Sequence, residues 1–239
     1  ELLKAARKGG TRIVGPNCIG VHCTESGIWC DMPKSPMSGV GDVAFLGQSG
    51  GMTHSFMRMA HSRYIGLNKV VSYGNQIDLK VEDYLEYFAG DDAIKAVAAY
   101  IEDIKNFGRF MEALRITTPR KPVIILKGGV TSQGAQAAAS HTGALAVRND
   151  LWSSMLRQFG GIEARTFEEL VDLTMMAVAD RLPLGNRIGF LGAGGGTSVL
   201  VTDFAYQHGL VLPELEREAQ EIISRKISNV NTSTTNPVD

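Results

Sequence analysis

The sequence predicts an α/β fold, an open parallel sheet with helices on both faces, followed by the start of a second, similar unit. Three observations predict it. Short apolar runs alternate with segments of helical period. One run, Pro122–Leu126, is almost wholly apolar, as a strand covered on both faces must be. Two runs lead straight into glycine-rich turns that open helices, Gly47–Gly51 and Gly192–Gly196.

The elements follow in order. Glu1–Gly9 reads as a helix already in progress. Asp42–Gly47 is a strand and Ser49–His61 a helix, with Met52, Phe56, Met59 and Ala60 on one stripe. Leu67–Ser72 is a second strand, and Val81–Phe88 a helix through Val81, Tyr84, Leu85 and Phe88. Ala96–Ile101, the helix Phe107–Ile116 and the strand Pro122–Leu126 come next. A small-residue tract, Gly128–Ala146, fits neither period, and Asn149–Phe159 and Phe167–Ala179 are again helical. Leu182–Asn186 reads as a linker, after which Arg187–Leu191 is expected as a strand and the segment up to about His208 as a helix. Both ends look internal to a longer polypeptide, since the chain opens inside a helix and stops on the turn signal Asn236–Asp239.

The 239 residues are 44% hydrophobic with a net charge of -1, so no basic excess points to nucleic acid and no acidic run to a solvating tail. No apolar run has membrane-spanning length and no signal peptide is evident, so no membrane partner and a cytoplasmic location are expected. Cys18, Cys23 and Cys30 lie near the start with His22, but lack the paired spacing of zinc modules, so buried thiols and no metal are expected.

Three features carry chemistry. In Gly47-Gln48-Ser49-Gly50-Gly51 the first turn of a helix offers unpaired N–H groups, glycines admit a close anion, and Ser49 adds a hydroxyl. The same letters satisfy the G-x-S-x-G elbow of a serine hydrolase, so anion binding, tight packing and a nucleophilic serine all remain open for this motif alone. In Ser140-His141-Thr142-Gly143-Ala144, small neighbours leave His141 clear of bulky packing. A neutral imidazole, with its reference pKa of about 6.5, can accept a phosphoryl group and release it again. Such a histidine needs an acid for its second ring nitrogen, and Glu102 follows a strand on the edge where Ser49 and the His141 loop also fall. Gly192–Gly196 has no suitably placed acid to make a dinucleotide fingerprint and reads as a second helix-opening turn.

A series of segments then appears in one family's order. They are Gly15–Val21 (GPNCIGV), Gln48–Gly51, Tyr73-Gly74-Asn75 with Asp78, Tyr100-Ile101-Glu102, Lys127-Gly128-Gly129 and Ser140–Leu145 (SHTGAL). The chain resembles the NDP-forming acyl-CoA synthetases, the superfamily that includes the succinyl-CoA synthetase alpha subunit, over almost its entire length. The resemblance implies that residues 1–34 are the tail of a CoA-binding Rossmann-like domain, 35–180 a flavodoxin-like ligase domain and 186–239 the truncated start of a second flavodoxin-like domain. It implies catalysis by His141 as a phosphohistidine oriented by Glu102, phosphate held by Ser49, Gly50 and Gly51, and CoA near Asn17 and Cys18. It further implies CoA, ADP or ATP, phosphate and a small carboxylic acid as substrates, and an oligomer. The nucleotide and Mg²⁺ belong to an ATP-grasp domain or subunit, a part with no counterpart in these residues, so the fragment alone is expected to be inactive. The Ser-His-Thr form is nearer to acetyl- and aryl-acyl-type synthetases than to succinyl-CoA synthetase. Against this stand a ligand-sensing module fused to a protein acetyltransferase, in which the histidine is typically lost, and a hydrolase built on Ser49. The hydrolase reading lacks an HGG-type segment and has a further β-α unit after His141. A flavin-binding flavodoxin is disfavoured by the absence of a Ser/Thr-rich loop after the first strand of the 35–180 domain.

Overall fold

A computed structural model describes residues 1–30, 40–131, 133, 134, 136, 149–192, 194–227 and 232–239, with the side chains of 149 and 150 excepted. His141 and the loop around it lie outside the described residues. The chain divides into two compact units, Glu1–Asp180 and Arg181–Asp239.

In the first unit the order is α1 (Leu2–Lys8), β1 (Gly20–Cys23), β2 (Ile28–Trp29), β3 (Val40–Gly47), α2 (Gly50–Ser62), β4 (Leu67–Ser72), α3 (Val81–Ala89), β5 (Ala96–Ile101), α4 (Phe107–Thr117), β6 (Val123–Lys127), α5 (Asn149–Gln158), β7 (Ile162–Ala164) and α6 (Phe167–Ala177). The strands form one sheet in the order β2-β1-β4-β3-β5-β6-β7. From β4 to β7 every pairing is parallel, whereas β1 runs antiparallel to both β2 and β4. The five parallel strands thus have the doubly wound flavodoxin order, with a hairpin added at the β4 edge.

The period-2 alternation of the strands feeds two cores. On one face Ala44, Leu46, Val97, Ala99, Val123 and Ile125 meet Tyr84, Leu85 and Phe88 of α3, Phe110 and Leu114 of α4, and Trp152 and Leu156 of α5. On the other, Val43, Phe45, Val70, Ala98 and Ile124 meet Phe56, Met57 and Ala60 of α2 and Leu170 and Val171 of α6. Phe45 and Phe56 stack at 4.0 Å between ring centroids. Burying each such side chain is worth about 1.5–3 kcal/mol, which outweighs the sub-kilocalorie helix penalty of aromatic residues. Side-chain caps set several helix starts: Ser49, Asn106 and Thr166 accept from the backbone N–H groups of Met52, Arg109 and Glu169.

The expected elements from β3 to α6 recur with ends moved by at most two residues, and β4 and β5 with none. Among the described residues four elements have no counterpart in the expectation: β1 and β2, which form a hairpin, the three-residue β7, and the helix Arg217–Ser224. The thiols are also less buried than expected, because the hairpin lies at the sheet edge. Cys18 and Cys23 are partly exposed and Cys30 is exposed, all three free.

The second unit contains α7 (Gly195–Gln207) and α8 (Arg217–Ser224). Arg187–Leu191, expected as a strand, instead makes isolated parallel bridges, Arg187 to Val211 and Leu191 to Val238. Pro213 and Pro237 stand next to these pairings and supply no N–H to extend them. The Asn236 side chain joins the segments, donating to Ile188 O and Pro213 O and accepting from Phe190 N at 2.8, 3.0 and 3.0 Å. At the glycine turn, Gly194 has φ +101°, and a Cβ on Gly195 would lie 3.2 Å from a carboxylate oxygen of Asp239.

Candidate functional site

In an open parallel sheet the ligand crevice opens where neighbouring strands send their connections to opposite faces. Here that point lies between β3 and β5: α2, after β3, packs on one face and α4, after β5, on the other. The residues that follow these two strands are Gln48–Gly51 and Glu102–Asp103.

Ser49 is the N-cap of α2, in extended conformation (φ -101°, ψ 128°), with its Oγ accepting from Met52 N at 3.4 Å. Thr53 closes the first turn from inside, its N and Oγ1 donating to Ser49 O at 2.9 and 2.8 Å. Gly51 is exposed, and a Cβ there would meet only Ser49 Oγ at 3.9 Å, so the first-turn N–H groups are open to an anion. Gly50 has less room: a Cβ would come within 2.9 Å of Ile19 Cγ2. Ser49→Ala should cost about 1 kcal/mol, as lost N-caps do. A urea midpoint that does not move would show that Oγ caps nothing.

Gln48 joins the two halves of the crevice. It is buried, and its Oε1 accepts from the N–H groups of both Glu102 and Asp103, at 2.7 and 2.9 Å. The Glu102 side chain is partly exposed. Glycine at 128 gives it room, because a Cβ there would stand 2.6 Å from Tyr100 Oη and 3.3 Å from Glu102 Cγ. Burial pushes the Tyr100 phenol far above the usual tyrosine range, and the charge and hydrogen bond of Glu102 push it further, so Tyr100 keeps its proton beside the carboxylate. Lys127, at the end of β6, does not project a free ammonium. Its Nζ donates to Glu102 O at 2.8 Å and to Gly128 O. Burial lowers its pKa from the lysine range, opposed by the charges of Asp103 and Glu102.

Two further segments dock on each other beside this crevice. Asn75 N donates to Pro16 O and Ile77 N to Gly15 O, at 2.9 and 3.1 Å. Asn17 Nδ2 reaches Asn75 Oδ1 at 3.4 Å, and Ile19 N donates to Ser72 Oγ at 3.3 Å. Asp78 accepts from Ile13 N and from the Arg12 guanidinium, which holds its carboxyl below the usual range. Asn17 therefore sits with φ +54° against the turn after β4, and Cys18 beside it donates weakly from Sγ to Val14 O at 3.7 Å.

The structure thus brings Ser49, Gly50, Gly51 and Glu102 to one crevice and sets Asn17 and Cys18 on its flank. Sequence reasoning did not single out Gln48, Gln76 and Lys127 for the way their side chains hold the loop after β5; Gln48 and Lys127 stood in the motifs and Gln76 did not, and the cross-strand bonds of all three were not visible. Among the described residues no group of three or more His, Cys, Asp or Glu is arranged to hold a metal ion, and no helix is long and apolar enough to cross a membrane.

These features define a doubly wound α/β module with an anion-ready helix N-terminus at its switch point. Residues 40–177 match the succinyl-CoA ligase like flavodoxin domain family, and the chain belongs to that family. Along its whole length it is 37% identical to the alpha subunit of an ADP-forming acetate–CoA ligase II of Pyrococcus furiosus, covering 51% of that protein. It is 34% identical to an ADP-forming acetate–CoA ligase of Methanocaldococcus jannaschii, covering 34% of it. Among solved structures it superposes, over its full length and 51% of the other chain, on a dinucleotide-forming acetyl-coenzyme A synthetase 1 of Ca. Korarchaeum cryptofilum in complex with phosphate and ADP, at a TM-score of 0.79 and 32% identity. The chain spans between about a third and a half of these relatives.

Proposed function

We propose that the chain is the phosphohistidine-bearing part of an ADP-forming acyl-CoA synthetase. The reaction converts acyl-CoA, ADP and phosphate into a carboxylic acid, CoA and ATP, and runs in both directions. One observation carries the reading: an open, serine-capped helix N-terminus lies at the switch point next to a carboxylate whose backbone is tied to it through Gln48. Relatives named as ADP-forming CoA ligases support it.

In this scheme phosphate oxygen attacks the thioester carbonyl and the thiolate of CoA leaves, giving an acyl phosphate. A ring nitrogen of His141 then attacks phosphorus and the carboxylate leaves. The phosphoryl group passes to ADP and the imidazole is regenerated. Ser49 and the N–H groups of Gly50 and Gly51 hold the anion, where the helix dipole and fixed donors stabilise charge without reorganising. Glu102 holds the second ring nitrogen of His141, favouring the protonated ring that forms on phosphorylation. Asn17 and Cys18 lie near the bound CoA. ADP and Mg²⁺ are bound by an ATP-grasp domain or subunit. The whole enzyme is a cytoplasmic oligomer.

The test is phosphorylation. The full-length protein, co-expressed with its ATP-grasp part, is incubated with γ-labelled ATP and Mg²⁺. An acid-labile, base-stable label that is lost in His141→Ala is expected. A folded wild-type protein that binds acyl-CoA but takes no label would sink the enzyme reading and leave a ligand sensor.

A further inference from the structure

All four backbone polar groups of Glu102 and Asp103 are bonded by side chains from three other strand ends. β5 stops at Ile101, so this dipeptide has no ladder to satisfy it. Gln48 Oε1, after β3, takes both N–H groups, at 2.7 and 2.9 Å. Lys127 Nζ, on β6, donates to Glu102 O at 2.8 Å. Gln76 Nε2, after β4, donates to Asp103 O at 3.2 Å, while its Oε1 accepts from Val81 N at 3.3 Å and so anchors the glutamine to the start of α3. Gln48, Gln76 and Lys127 are only 5%, 2% and 9% exposed, so these bonds are made away from competing water.

The choice of side chains is informative. Two consecutive N–H groups converging on one oxygen form a small concavity that suits an anion. A neutral amide oxygen fills it, so the loop's donors are spent on Gln48 and the Glu102 carboxylate is not drawn back onto its own backbone. Gln76 is held at φ +56°, in the left-handed region that an unbranched residue enters at some cost. A strained residue whose amide bonds both ways marks a contact over-determined by its surroundings.

We propose that Gln48, Gln76 and Lys127 are positioning residues that fix the Glu102 carboxylate in the crevice, and that they act on phosphoryl transfer only through it. This rests on the function proposed above. Catalytic geometry tolerates little looseness, because a displacement of about 1 Å can cost on the order of 100-fold in rate.

The experiment is a set of single-turnover measurements on the full-length protein with its ATP-grasp part, following label transfer from ATP to His141. Glu102→Gln and Gln48→Met are each expected to slow labelling by about 10- to 100-fold with the KM for ATP unchanged. The double variant Gln48→Met/Glu102→Gln should be no slower than the slower single variant, since residues that act as one unit are not additive. If Gln48→Met fails to fold, Gln76→Met takes its place in the same cycle. Losses that multiply in the double variant, or a Gln48→Met protein that labels at the wild-type rate while Glu102→Gln is slow, would overturn the proposal alone. A wild-type protein that takes no label would overturn it together with the functional reading.

Discussion

Gly74→Ala is expected to lose about 2–5 kcal/mol of stability, combining left-handed backbone strain of about 1–2 kcal/mol with overpacking of about 1–3 kcal/mol. Gly74 has φ +50°, and a Cβ there would stand 2.3 Å from the carbonyl oxygens of both Pro16 and Asn17. Those atoms are backbone and cannot rotate away, and their segment is held by the bonds from Asn75 N to Pro16 O and from Ile77 N to Gly15 O. The methyl group therefore forces the two segments apart or the turn out of shape. Gly27→Ala is the control. Its φ is +71° but nothing lies within 4 Å of the added Cβ, so it carries the strain without the contact and should cost about 1 kcal/mol. Urea melts of the two variants separate the terms. Equal losses would mean that the close approach at Gly74 contributes nothing. Amide exchange should report the same event locally, as faster exchange at Asn75 and Ile77 in Gly74→Ala.

This docking explains why two motifs recognised separately in the sequence belong to one structure. Gly15–Val21 and Tyr73–Asp78 are 50 to 60 residues apart, and nothing in either segment's local pattern names its partner. The glycines and the asparagines stand plainly in both segments. Which carbonyl each glycine had to clear depends on the antiparallel register of β1 on β4, Gly20 opposite Ser72, and that hairpin was missed. It was missed for a physical reason. Gly20–Trp29 is short, polar at its turn (Thr24–Gly27), and carries His22, Cys23 and Cys30 in place of a plain apolar–polar alternation. His22 is in fact buried edge-on against Trp29, with ring centroids 4.3 Å apart.

The parallel strands were legible because burial on both faces leaves little room for polar residues. Val43–Leu46, Ala96–Ala99 and Val123–Ile125 are wholly buried. β7 was not legible, since it is three residues long with Glu163 at its centre, where the side chain accepts from Ser153 Oγ at 2.9 Å. The same contrast holds at the site. Ser49–Gly51 could be read from local helix chemistry, and Glu102 from its place after a strand. Gln48 could not: its role depends on a bond to residues 54 and 55 positions away, which only the β3–β5 pairing brings within reach.

A buried carboxyl behind this crevice gives the stability a pH dependence of definite sign. Glu82, in the first turn of α3, is fully buried, and among the described residues no other residue bonds either of its oxygens. Burial raises its pKa; its own backbone N–H lowers it, the neighbouring charge of Asp83 raises it, and Lys80 and Arg109 pull it down, with burial the largest of these. A carboxyl whose pKa is higher in the folded state binds more protons folded than unfolded between the two values. Its contribution is therefore fully present below the unfolded pKa and is lost as pH rises through the folded one. Glu82→Gln mimics the protonated acid at every pH. The variant should match wild type in acid and become the more stable protein as pH rises out of the ordinary carboxylate range. The gain should be on the order of 1 kcal/mol, the scale of desolvating one unpaired buried polar group. Arg109 does not cancel it, because that guanidinium is committed to Asp83 and Glu86 at 3.0 and 2.9 Å. Denaturant midpoints measured from acid to neutral pH on both proteins give the difference curve. A difference that is flat, or that shrinks as pH rises, would mean that Glu82 ionises freely and that water or a counter-charge reaches it in the folded protein.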